Sequence, residues 1–279
     1  MLLLIWGSFA AVSKLVLGET DSYQTLFYIF CFSAVIRIVQ AIAKGTLRQF
    51  RQLGKKDWFL LVFCGLLFFL YYFLYLMAMD MIPAVEAMII NYLFPVFIVL
   101  FAVPINKEKL TALKIVSLVV CFAGIVVLVT GGNFADVRLS SLPGDLLALG
   151  AAVSWGLFSN FGKRNQADPD VSYFVYTIVS LAMSVAAMSA LSVFQLPDLP
   201  VMAGCAWLGL GNIVLALAMW IRIMKQSSAS TAATLSFFAP FVSLALIALL
   251  TDEKITVAAL IGMALIVAGN VIQNLRARK

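Results

Sequence analysis

Ten apolar runs, each about as long as a membrane span, follow one another along these 279 residues. A bilayer hydrocarbon core is about 30 Å thick and takes roughly 20 helical residues to cross. The runs lie at 2–17, 23–43, 58–79, 84–103, 111–130, 144–163, 171–193, 201–224, 229–250 and 256–274, joined by short polar or Gly/Pro-containing connections. No run is left over for a soluble domain. The chain is 63% hydrophobic and 11% charged, where soluble domains carry roughly 25% charged residues. The chain therefore reads as an all-α integral membrane protein of ten transmembrane helices.

The net charge of +6 does not call for nucleic acid, because in a membrane protein the positions of Lys and Arg matter more than their sum. With the N-terminus in the cytoplasm, only Lys14, Arg138 and Lys254 of the 19 Lys/Arg fall outside, and Arg37, Lys44, Arg48, Arg51, Lys55, Lys56 and the others fall inside. Both termini are thus expected in the cytoplasm, in the cell (cytoplasmic or inner) membrane. Cys31, Cys64, Cys121 and Cys205 lie inside spans without CxxC spacing, which indicates neither a disulfide framework nor a metal site. The chain has no His, the side chain that most readily titrates near neutrality. No cofactor is implied. MLLLIWG lacks a basic n-region and a small-residue cleavage site, so it reads as the first span. Trp6 has fewer residues before it than Trp155 has in its own span, so that first span reads as short by several residues.

Internal similarity decides the architecture. WGSFAAVSK at 6–14 matches WGLFSNFGK at 155–163, an offset of 149. Pro95 matches Pro240, Glu108 matches Glu253, Lys109 matches Lys254, Thr111 matches Thr256, and Ala-Gly at 123–124 matches Ala-Gly at 268–269, all at an offset of 145. A four-residue difference in a connection explains the shift. Residues 1–131 and 144–279 then each hold five spans, and an odd number makes the second half enter the membrane inverted. Inverted repeats are a transporter signature, with sites near the midplane built by interrupted helices.

Pro95 and Pro240 are expected to kink their helices, releasing the carbonyls of Asn91 and Ser236. Such breaks persist in membranes where protein, water or a polar side chain compensates. One Pro alone is an ordinary membrane-helix bend, but two at matched positions, each with a polar residue four before, point to a cavity. Glu86 is about 140° from Asn91 around a helix. After Pro83 it reads either as a first-turn carboxylate favouring the helix dipole or as a substrate-amine or proton-coupling acid.

Of the 22 Phe, 8 Tyr and 5 Trp, those on repeat-matched motifs are the cavity candidates: Trp6, Tyr75, Tyr92, Phe94, Trp155, Trp220, Phe237 and Phe238. They suit a planar or cationic organic substrate through stacking and cation–π attraction, or they serve packing alone. Lys14 and Lys163 read as snorkelling to the interface. Asn160, Ser154, Ser159 and Asn212 are further polar residues within spans, which the sequence does not rank.

Two five-span halves, Trp-Gly near the start of each, and P…E-K closing the fourth and ninth spans resemble the EamA type of the drug/metabolite transporter superfamily over essentially the whole chain. AVEAMIINYLFP at 84–95 is similar to the matching stretch of bacterial aromatic amino acid exporters, with Phe94 standing where those carry Trp. The resemblance implies export of amino acids or related metabolites from the cytoplasm by alternating access around a central cavity. The residues themselves leave two alternatives: a proton-coupled exporter of organic cations using Glu86, or a membrane scaffold that transports nothing. No P-loop, nucleophile motif or metal-ligand cluster supports an enzyme. The partners expected are a small molecule and the bilayer. Oligomeric state is not legible.

Overall fold

The computed structural model describes residues 1–136, 140–239 and 257–274. The regular elements among the described residues are all helices, without strands. In chain order the helices are α1 (Leu2–Leu17), α2 (Ser22–Ala43), α3 (Lys55–Met81), α4 (Ala84–Asn91), α5 (Phe94–Asn106), α6 (Ala112–Thr130), α7 (Leu142–Arg164), α8 (Pro169–Leu191), α9 (Leu199–Trp207), a π-helical segment Leu208–Ala216, α10 (Leu217–Gln226), α11 (Ala229–Ser236) and α12 (Val257–Asn274). Seven described helical stretches are long and apolar enough to cross a membrane, counting Glu86–Asn106 and Leu199–Gln226 as one stretch each; Leu2–Leu17 and Leu260–Ile272 are shorter apolar helices. The expected ninth span, 229–250, is described only as far as 239.

The helix ends follow local chemistry. Asp21 caps α2 by accepting the Gln24 N–H at 2.8 Å, Ser228 caps α11 through the Thr231 N–H at 3.0 Å, and Asp168 precedes Pro169 at the start of α8. These acceptors take N–H groups that the first turn leaves without partners. Gly131, at φ 59°, closes α6 in the left-handed conformation that a glycine adopts without penalty.

Helix α7 is packed by α3, α4 and α5, and α8 by α2 and α3. Helices α6 and α12 pair along their length through small residues. A Cβ on Gly124 would lie 2.7 Å from the Gly262 carbonyl oxygen, and one on Gly262 would lie 2.8 Å from that of Gly124. Such close approach is how helices associate where lipid removes the hydrophobic drive. Ser117 Oγ donates to the Gly269 carbonyl at 2.7 Å across the same seam.

The break near Pro95 differs from a kink in a continuous helix. Helix α4 stops at Asn91 and α5 begins at Phe94, so Pro95 occupies the first turn of the second segment. There its missing N–H has no partner to lose. The chain turns tightly between, with the Leu93 N–H on the Ile90 carbonyl at 3.0 Å. Helix α11 stops at Ser236 in the same way, with the Phe238 N–H on the Leu235 carbonyl at 3.2 Å. Pro240 lies outside the described residues.

Candidate functional site

The α4–α5 break sits against a cavity of about 80 Å³. Its walls come from five elements: Trp6, Gly7 and Phe9 on α1, Tyr71, Tyr72 and Tyr75 on α3, Met88, Asn91, Tyr92 and Phe94 around the break, Trp155 on α7, and Asn212 in the π-helical segment. None of these residues is charged. Tyr71 and Tyr75 share a helix face one turn apart and stack at 6.1 Å. The Tyr71 ring lies 4.6 Å from Trp155, and Trp6 lies 5.9 Å from Trp155 and 6.2 Å from Phe94. Aromatic walls of this kind offer π-faces and apolar area with few polar commitments.

Three of the lining residues each carry a buried polar atom with no hydrogen-bond partner among the described residues: Asn91 Oδ1, Trp155 Nε1 and Asn212 Nδ2. Their residues are 5%, 3% and 2% exposed. The other end of the Asn91 amide donates to the Tyr71 hydroxyl at 3.5 Å, at the limit of a hydrogen bond.

The structure brings together Trp6, Tyr75, Asn91, Tyr92, Phe94 and Trp155, all expected at the site. Trp220 and Phe237 stand behind the wall. The Trp220 ring is 5.1 Å from Trp6 while its indole N–H donates to Ser159 Oγ at 2.9 Å, and Phe237 stacks on Tyr92 at 6.5 Å. Ser236 does not line the cavity: its hydroxyl donates to the Ala233 carbonyl of its own helix at 2.6 Å. Glu86 is also away from the cavity lining. Its carboxylate accepts the Ser140 N–H at 2.7 Å and the Ser140 hydroxyl at 2.6 Å.

Phe9, Tyr71, Tyr72 and Met88 were not singled out in the sequence, and Asn212 was noted without rank. The Tyr71/Tyr75 spacing was the available signal for one of them. Arg37, counted with the cytoplasmic charges, is buried within α2 at 5% exposed. Lys163 does not snorkel freely, since its Nζ donates to the Ser227 carbonyl and lies 3.5 Å from Glu108 Oε1.

Glu108, between α5 and α6, is the centre of a second polar cluster. Its carboxylate accepts the Ala229 N–H at 2.6 Å and the Ser230 hydroxyl at 3.0 Å, with Lys114 also at 3.5 Å. Partial burial works to raise its pKa. The bonds from Ala229 and Ser230 and the charges of Lys163 and Lys114 outweigh that and hold it below the usual carboxylate value.

A solved crystal structure of another protein, 24% identical, superposes with a TM-score of 0.82 over 100% of this chain and 96% of its own, which shows a shared fold. An aromatic amino acid exporter, YddG of Ancylobacter novellus, is 28% identical over 287 residues, 99% of this chain and 96% of that protein. A transporter of Clostridium kluyveri named as uncharacterized is 28% identical over 269 residues, 91% of this chain and 84% of its own. The model of the EamA-like transporter family matches residues 1–130 and 142–275, and the chain belongs to that family.

Proposed function

We propose that this protein is a secondary transporter that exports amino acids or related small metabolites, aromatic ones among them, from the cytoplasm by alternating access around the aromatic cavity. The observation that carries the reading is the cavity itself: uncharged, ringed by Trp and Tyr, and set against a broken helix. The name of the Ancylobacter relative supports the substrate class. Small-molecule sites are about 300–1,000 Å³, so a cavity of about 80 Å³ must widen to admit substrate, as alternating access requires. Amino acids are favoured over organic cations because Glu86, the acid a cation exporter would use, is engaged by Ser140 instead of lining the cavity.

Alternating access needs two halves that rock, and we take these to be inverted five-helix units at 1–131 and 144–279. Helices α4 and α11 support this, with equal lengths of eight residues, bounds 145 residues apart and the same closing turn. The α6–α12 seam supports it further. A Cβ on Gly124 would meet Gly262 and Ile266, and one on Gly269 would meet Ser117 and Cys121, which are the repeat counterparts of that pair. The two helices run antiparallel there, and an exchange of contacts between antiparallel helices is the mark of a two-fold axis across them. The charge distribution supports a cytoplasmic position for both termini.

Uptake of labelled aromatic, branched-chain and small polar amino acids into inverted membrane vesicles, with and without a pH gradient, tests the reading. Aromatic amino acids should accumulate faster than in vesicles lacking the protein. No stimulation for any of them would overturn it.

A further inference from the structure

We infer that Asn212 and the Trp155 indole N–H form a paired-donor seat for a substrate carboxylate, with the Asn91 amide oxygen as the acceptor for its ammonium, so that the cavity selects zwitterions over cations and anions. The inference rests on the transport reading and names how that same site chooses its substrate.

Buried polar groups in folded proteins are nearly always paired, and an exception calls for an explanation such as a ligand. Among the described residues, three of the buried side-chain atoms without a partner belong to residues, on three different elements, that line one cavity. Two are donors and one is an acceptor. Donors near a carboxylate make charge-assisted bonds, which are about twice as strong as neutral ones. No lining side chain carries charge, so a permeant with a net charge would meet no counter-ion. A zwitterion carries its own. An organic cation would use Asn91 and the ring faces but leave both donors unmet, and an anion would leave the acceptor unmet. The rings take an apolar or aromatic side chain.

The π-helical segment supplies the second line of argument. π-Helical turns are rare and are frequent at functional sites, and this one carries Asn212. Its departure from the α-helical bonding pattern is supported from α2. Ser33 Oγ donates to the Gly209 carbonyl at 3.2 Å, and the Arg37 guanidinium donates to the Val214 carbonyl at 2.8 Å and lies 4.9 Å over the Tyr173 ring. Gly209 allows the approach, since a Cβ there would lie 2.7 Å from the Ile29 carbonyl oxygen. An arginine inside a span is costly and kept for a purpose. Arg37 is a positioning residue that holds the segment presenting Asn212.

The test compares three probes in proteoliposomes: L-phenylalanine, phenethylamine, which lacks the carboxylate, and 3-phenylpropionate, which lacks the ammonium. Wild-type protein should prefer phenylalanine over each of the others by about tenfold or more, the scale of one hydrogen bond to a charged group. Asn212→Leu should lower the phenylalanine-to-phenethylamine preference about tenfold. Trp155→Phe, which keeps a ring and removes the N–H, should do the same if Asn212→Leu fails to reach the membrane. Phenylalanine transport with that preference unchanged in both variants, or wild-type protein moving all three alike, overturns the seat and leaves the transport reading standing. Movement of none of the three by wild-type protein overturns the seat, and overturns the transport reading as well if the other amino acids are also not moved.

Discussion

The Glu108 cluster and the aromatic cavity are two polar regions of one apolar molecule, and they are built on opposite rules. At Glu108 the carboxylate has answering donors, and they come from the starts of α6 and α11 and the end of α7. At the cavity, Asn91, Trp155 and Asn212 each keep an atom unanswered. A satisfied cluster locks the elements that meet in it. An unsatisfied one costs stability, of order 1–3 kcal/mol per buried group. Glu108 also favours the N-terminal dipole of α11, so it fixes the end of the segment that carries Phe237 toward Tyr92.

The largest effect should come from Glu108→Ala, which leaves two lysines and the start of α11 without their partner. Removing one member of a buried ion pair costs about 3–5 kcal/mol; with side chains still 15–21% exposed, about 2 kcal/mol is expected, read as a lower Tm of the purified protein. The pH dependence follows from the lowered pKa. A depressed folded-state carboxylate contributes stability that is full above its unfolded value and is lost as pH falls through the folded one. Stability attributable to Glu108 should therefore be flat down to about pH 5 and decline below that, and Glu108→Gln should remove that part of the decline. An unchanged profile in that variant would end the claim that this cluster is a lock.

The opposite sign is expected at the cavity. Asn91→Leu removes a buried acceptor that has no partner, so Tm should hold or rise by an amount equivalent to about 1 kcal/mol, while transport falls without loss of membrane insertion. A large drop in Tm would show that Asn91 is structural and would erase the contrast with Glu108.

Accessibility gives a finer reading. In a background without the four native cysteines, Cys at 91 should react with a small hydrophilic thiol reagent, and L-phenylalanine should slow the reaction. Cys at 236 should react more slowly, because the Ser236 side chain turns toward its own helix, and Cys at 119 or 265 should stay unreactive. Equal rates at 91 and 119 would remove the cavity from the water path. The smallest effect is topological and qualitative: tags at 52 and the C-terminus are expected in the cytoplasm and one near Phe134 outside.

Much of this was legible in the residues, and the reason is local. Spans are set by runs of apolar side chains that need no tertiary knowledge, and described helix ends lie within a few residues of the expected ones, as at α2, α6 and α7. Pro95 marked the place of the break but not its form: a kink in one helix was expected, and Pro95 instead sits in the first turn of α5. Trp6, Tyr75, Asn91, Tyr92, Phe94 and Trp155 were found because they stand on or beside repeated motifs. Ser236 shared that pattern yet turned to its own helix, since a hydroxyl bonds a nearby helical carbonyl as readily as a distant partner. What tertiary structure alone decided was which face of each helix looks inward and which distant groups answer one another. That Arg37 turns inward and donates to the Val214 carbonyl was not legible until α2 and the π-helical segment were seen side by side. Asn212 could not be placed by a 3.6-residue period, because an i→i+5 turn shifts the phase of every side chain after it.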